Sequence, residues 1–259
     1  MNATFLQNLI DPARVRSQIS EVPSYAAERP SADVSSRYGF VRTPDIVALL
    51  EEQGYQLRNV RGGIKGKTRE HGMHEARMVK VDSQLKLGEI MPEVVITNSH
   101  DRSSRAMLDL GFWRKACDNG LVVNIANLEN FQLTHIGDLH SQIVKAVGYL
   151  TEYAELAADK ISSFQARRMT GAEIEEFANR AAALRDVERA TRVTQTRRQE
   201  DVGDTLWLVY NRAQENLLKG NFRKITDKGT RNGRPVTSIR RGLNLNKDLW
   251  ALAEEFLPN

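Results

Sequence analysis

The stretch "EVVITNSHDRSSR", Glu93–Arg105, joins an apolar run to a dense polar cluster. Glu93–Thr97 is an apolar run that reads as a strand. Asn98, Ser99, Asp101, Ser103 and Ser104 then supply side chains that bond neighbouring amides and fix tight turns. The reading is a core strand that ends in a shaped polar turn. A sheet is therefore the organising element of this part of the chain.

Working outward, "YQLRNV" and "HEARMVKVD" read as strands before it, joined by the basic loop "RGGIKGKTREHG". "FWRKACDNGLVV" and "ENFQLTH" continue the β material, with "DNG" as a turn. The three core strands are expected at Arg77–Val81, Val94–Thr97 and Lys115–Val123. A helix precedes them in "RTPDIVALLEEQGY", with Thr43 as cap, Pro44 at the first position and Gly54 as stop. Helices dominate afterwards. The run from Leu139 is amphipathic, Thr170 and Glu173 make a capping box, and "DTLWLVYNRAQENLLKG" starts at Asp204 and stops at Gly220. "NKDLWALAEEFL" is a last short helix, and Trp207 and Trp250 sit in apolar helical patterns expected in the core.

The order predicts an α+β fold, with an antiparallel β-β-β-α-like core followed by a helical half. Residues 1–36, broken by Pro12, Pro23 and Pro30, are expected to form an N-terminal arm. Residues 37–259 form a single domain, strand-rich over 37–135 and helix-rich over 136–259.

Composition limits the function classes. With one cysteine, Cys117, among 259 residues, an internal disulfide framework is excluded and a reducing, cytoplasmic setting is expected. No apolar window is long enough to cross a membrane. No phosphate-loop or dinucleotide glycine pattern is present, no metal-ligand spacing stands out, and no cofactor is predicted. The net charge is +4. It is unevenly spread, because from Lys219 to Arg241 only Asp227 offsets Arg223, Lys224, Lys228, Arg231, Arg234 and Arg240. A second cluster holds Arg61, Lys65, Lys67 and Arg69. Such clusters attract polyanions by counterion release. Phe222, beside Arg223 and Lys224, is the best candidate to stack on a base. Two readings of the polar turn stay open. Asn98, Ser99, His100 and Asp101 hold adjacent strands in register, or Arg102 and Arg105 contact phosphates.

"NSHDRSSR", "GFWRKACDNGLVV" and "DTLWLVYNRAQENLLKG" together resemble a family of phage- and plasmid-encoded proteins known as a domain of unknown function. The family pattern runs Asn-Ser-His-Asp-Gly-Ser-Ser, then Arg-x-x-Cys-x-Asn-Gly, then Trp, Asn and Glu. Here it falls on Asn98, Ser99, His100, Asp101, Ser103, Ser104, Arg114, Cys117, Asn119, Gly120, Trp207, Asn211 and Glu215. Arg102 replaces the usual Gly. The strand order followed by a long helix is also similar in architecture to phage single-strand annealing recombinases of the RecT and Redβ class. That likeness implies rings or filaments in which a basic groove holds an extended strand.

The leading expectation is a mobile-element protein that binds and anneals single-stranded DNA as a homo-oligomer, without covalent chemistry. The alternative is an inhibitor that binds a host defence protein. A third is a hydrolase that uses Cys117 with His100.

Overall fold

The computed structural model describes residues 10–35, 38–63, 69–80, 83, 85, 90–114, 120–123, 131–133 and 138–258. Its contacts group into two compact units. The first comprises Met1–Lys115 and Ile125–Glu155, and the second Ala116–Asn124 and Leu156–Asn259.

The first unit is built on four antiparallel strands in sequence order: β1 (Tyr55–Gly62), β2 (His74–Lys80), β3 (Ile90–Asn98) and β4 (Met107–Arg114). A short strand in chain order after β5 (Gly120–Val122), β6 (Phe131–Gln132), pairs with β4. The expected third core strand, Lys115–Val123, contains β5 in its described part, but the strand next to β3 is β4, at Met107–Arg114. A buried acid at Asp109 and a glycine at Gly111 break its apolar alternation and hid it. Cross-strand partners share a face, so Ala76, Met78, Val94, Ile96, Leu108 and Leu110 form one apolar side. α3 (Leu139–Ala166) places Leu150 and Ala154 opposite Leu110 across a cavity of about 360 Å³.

The other side is charged and nonetheless buried. Glu93, with no exposed surface, receives Arg58 Nη2 at 2.9 Å and also pairs with Arg77. Arg77 Nε reaches Glu75 Oε1 at 2.7 Å, and Arg61 closes the ladder on Glu75 at 2.8 and 2.9 Å. Burial alone would raise the Glu75 carboxyl, but Arg77 and Arg61 outweigh it and hold the group at about 2. Arg58 also lies 4.9 Å from the centre of the Trp113 ring. The N-terminal segment covers this side. α1 (Pro12–Glu21) lies on β1, where Gln18 accepts a hydrogen bond from the Val60 amide at 3.1 Å. Ile10 packs on Val79, Met91 and Trp113.

α2 (Thr43–Glu52) starts as expected in position but not in chemistry. Arg42 stands at the cap without a side-chain bond, and the Thr43 hydroxyl is engaged elsewhere.

The second unit is centred on α5 (Leu206–Lys219), buried on nearly every side. Around it lie α4 (Gly171–Ala183), α6 (Ile239–Glu254) and a small sheet of β7 (Ala190–Thr191), β8 (Arg223–Thr226) and β9 (Gly229–Asn232). Trp207 stacks on Tyr210 at 6.0 Å and Phe164 meets Trp250 at 5.0 Å, so both tryptophans are core, as their helical pattern implied. The Thr170–Glu173 capping box forms. Thr205 rather than Asp204 caps α5. The β8–β9 hairpin was not legible in sequence, because its strands carry almost no apolar residues. α6 begins at Ile239, so Arg240 and Arg241 are helical rather than part of a connecting loop. Among the described residues, no helix is long and apolar enough to cross a membrane.

Candidate nucleic-acid interface

The polar turn after β3 is held by its own side chains. Asn98 Nδ2 donates to the Val41 carbonyl at 2.9 Å and to the Thr43 hydroxyl at 3.1 Å, while its Oδ1 accepts from the Ser99 amide at 2.8 Å. Ser99 Oγ accepts from the Ser104 amide at 2.8 Å and donates to the Ser104 carbonyl at 2.9 Å, which pins the loop across its neck. Asp101 Oδ1 accepts from the Ser103 amide at 2.9 Å, and Tyr38 donates to the Ser99 carbonyl at 2.8 Å. The architectural reading of Asn98, Ser99 and Asp101 therefore accounts for every bond these side chains are seen to make.

Histidines fill the interior beside it. His74 Nδ1 donates to the Gly72 carbonyl at 3.1 Å, which leaves Nε2 to accept from Thr43 Oγ1 at 2.6 Å. The His100 ring lies 5.1 Å from His74 and 4.7 Å from Phe40. Burial, and for His100 then the neighbouring His74, lowers both imidazoles to about 4. His100 is wholly buried and packs against Phe40 and His74. Among the described residues, no three His, Cys, Asp or Glu groups are placed to hold a metal. Cys117 and Asn119 lie outside the described residues.

Arg102 stands at φ 68°, the left-handed region that favours glycine, which is the residue the resemblance placed there. The arginine thus carries backbone strain of roughly 1 kcal/mol. Arg102→Gly should raise stability by about that amount, read as a higher urea midpoint with an unchanged slope. An unchanged or lower midpoint would show that the arginine side chain compensates.

The predicted cations separate into two groups. In the first unit, Arg61 pairs with both oxygens of Glu75 while its side chain stays 40 % exposed. Arg105 binds Gln132 at 2.5 Å. Arg69 and Arg102 are exposed, and Lys65 and Lys67 lie outside the described residues.

In the second unit, Lys224, Arg231, Arg234 and Arg241 line one cleft of about 810 Å³. Arg185, which the sequence reading passed over, joins them. It follows α4, and its guanidinium is held by the Leu217 carbonyl and by the Arg234 carbonyl at 3.0 Å. Burial, and then Arg241, disfavour its charge, while the adjacent Asp186 carboxylate favours it. Two guanidiniums thus converge on one space, a costly arrangement that an anion would relieve. Leu184, Pro235, Val236 and Leu245 supply apolar wall, Thr226, Thr237, Ser238, Asn232 and Asn244 supply neutral polar groups, and Asp186 and Asp248 supply two carboxylates. Lys228 and Arg240 are exposed, and Arg223 is half-buried. Phe222 is 1 % exposed and lies under Arg185, with the guanidinium carbon 5.5 Å from its ring centre. It is therefore a core residue, and the expected stacking role does not fit its position.

The remaining motif residues are structural. Asn211 Nδ2 bonds back to the Trp207 carbonyl at 2.6 Å. Glu215 holds Arg198 through both oxygens at 2.8 and 2.9 Å and receives Lys219 at 3.0 Å. Trp207, Asn211 and Glu215 are spaced by four residues and so share one line along α5.

The motif order and this geometry agree with what the chain matches. A family model described as "Domain of unknown function (DUF932)" fits residues 31–250. The chain belongs to this family. It is similar to the UPF0380 protein YfjQ of Escherichia coli (strain K12), 30% identical over 247 residues that cover 91% of this chain and 88% of the relative. The UPF0380 protein YafZ of the same organism is 30% identical over 245 residues, with the same coverage of both. No solved structure matches.

Proposed function

We propose that this DUF932 member binds single-stranded nucleic acid through its phosphates and performs no covalent chemistry. The observation that supports this reading is the convergence of Arg185 and Arg241, with Lys224, Arg231 and Arg234, on one cleft. α6 begins at the same cleft with Ser238 as its cap, and the partial positive charge of a helix start adds to the field there. With Phe222 buried, affinity rests on phosphates rather than on stacking, so it should be strongly salt-dependent. The finer reading is strand annealing by a side-by-side oligomer. Its support is architectural likeness, a strand meander followed by a long helix, and it carries the weight of a fold-level analogy.

The test is fluorescence anisotropy of a labelled single-stranded oligonucleotide at roughly 50 and 200 mM salt, the range over which phosphate contacts are most telling. Wild-type protein should bind at the lower salt and lose affinity steeply at the higher. Changing Lys224, Arg231 and Arg234 together to Ala should reduce the slope of log K against log salt by about 2, at about 0.7 per lost contact. No binding at low salt sinks the proposal and turns attention to a host protein partner. An unchanged slope moves the contact surface away from this cleft.

A further inference from the structure

A cleft that only gripped phosphates would have no use for a carboxylate, which repels them. Yet Asp186 and Asp248 both line this one; Asp186 favours the charge of neighbouring Arg185, which leaves Asp248 as the carboxylate to explain. It is exposed, and it makes no hydrogen bond or ion pair with any described residue, so the surrounding arginines do not neutralise it. Its position on α6 follows from helical spacing. Arg241, Asn244 and Asp248 lie three and four residues apart, on one face of the helix, and all line the cleft. Asn232 approaches from β9.

These side-chain types have distinct partners among the bases. Arginine suits the guanine O6 and N7 acceptors, asparagine the adenine N6 and N7 pair, and aspartate accepts from the cytosine N4 amino group. On a single strand these edges are unpaired and within reach. Thymine has no exocyclic amino group; its one ring N–H on that edge is flanked by two carbonyl oxygens, which a carboxylate repels.

We infer that the α6 face Arg241–Asn244–Asp248 reads base edges, so that the cleft prefers strands rich in amino-bearing bases over thymine. This rests on the nucleic-acid reading above and adds selectivity to it. Arg185, Lys224, Arg231 and Arg234 hold the backbone, while Asp248 accepts from the exocyclic amino group and Asn244 fixes the register of the base.

The experiment titrates the full chain against labelled oligo-dC and oligo-dT of equal length at one salt concentration. Wild-type protein should bind oligo-dC at least fivefold more tightly, the lower bound for one good base contact. Asp248→Asn should bring the ratio to within about twofold, mainly by raising affinity for oligo-dT, since the repulsion is removed. Asn244→Ala should lower the preference while leaving the salt dependence intact. Both positions are exposed, and a circular dichroism spectrum identical to wild type confirms the fold of each variant. Equal binding of the two oligonucleotides by wild-type protein overturns the base-reading inference and leaves phosphate binding standing. Failure to bind either overturns the nucleic-acid reading itself. A dC preference that survives in both variants shows that other residues read the base.

Discussion

Glu93→Ala should lower the stability of the sheet unit by roughly 3–5 kcal/mol, the loss expected when one partner of a buried ion pair is removed. Glu93 is shared by Arg58 and Arg77 and has no exposed surface, so its loss leaves two buried guanidiniums each short of one carboxylate beside a cavity. Water cannot rescue them without opening the cover formed by Ile10 and α1. Arg77 keeps Glu75, and Arg58 loses Glu93 while the Trp113 ring stays among its contacts. Glu93→Gln keeps the shape and loses the charge, and it should fall between the two. Urea denaturation followed by far-UV circular dichroism measures both. A loss below about 1 kcal/mol for the alanine variant would mean that the ladder is solvated rather than buried.

Gly220→Ala should be nearly as damaging, by about 2–5 kcal/mol, and it should also spoil the cleft. Gly220 ends α5 at φ 73°, with its amide bonded to the Asn216 carbonyl, the left-handed stop that glycine adopts without cost. A Cβ there would lie 2.5 Å from the Arg234 carbonyl carbon and 2.6 Å from the Pro235 nitrogen. Both are backbone atoms and cannot rotate away. The same 234–236 segment is tied to α5 by the Val236 amide and the Leu218 carbonyl at 2.7 Å, and it forms one wall of the cleft. Displacing it moves Arg234 and releases Arg185 from the Arg234 carbonyl. Gly229→Ala is the internal control. It too sits at positive φ, 102°, but has nothing within 4 Å of an added Cβ, so only the conformational cost remains. Thermal unfolding and oligonucleotide anisotropy should show Gly220→Ala losing both stability and binding, with Gly229→Ala losing a smaller share of stability alone. Equal effects at the two glycines would sink the argument from close approach.

The sequence by itself determined much of the fold. The strand at Glu93–Thr97, the hairpin on "RGGIKGKTREHG", the capping box at Thr170, the stop at Gly220 and the core tryptophans all follow from local rules. Apolar period, turn chemistry and caps act over a few residues, and a few residues suffice to read them. What the tertiary structure decided is pairing over long separations. Arg61 looked like any other member of a basic cluster until Glu75 took it. Glu93, an acid in an apolar strand, gave no hint that two arginines from neighbouring strands would meet it. Phe222 next to Arg-Lys resembled a stacking ring, yet its burial depends on Arg185 and Gly233, both remote from it or folded back upon it. Arg185 joins the cleft because α4, β8, β9 and α6 bring distant segments around one space. A charged side chain declares its charge in the sequence, but whether that charge is neutralised, buried or offered to a ligand depends on neighbours that only the folded chain assembles.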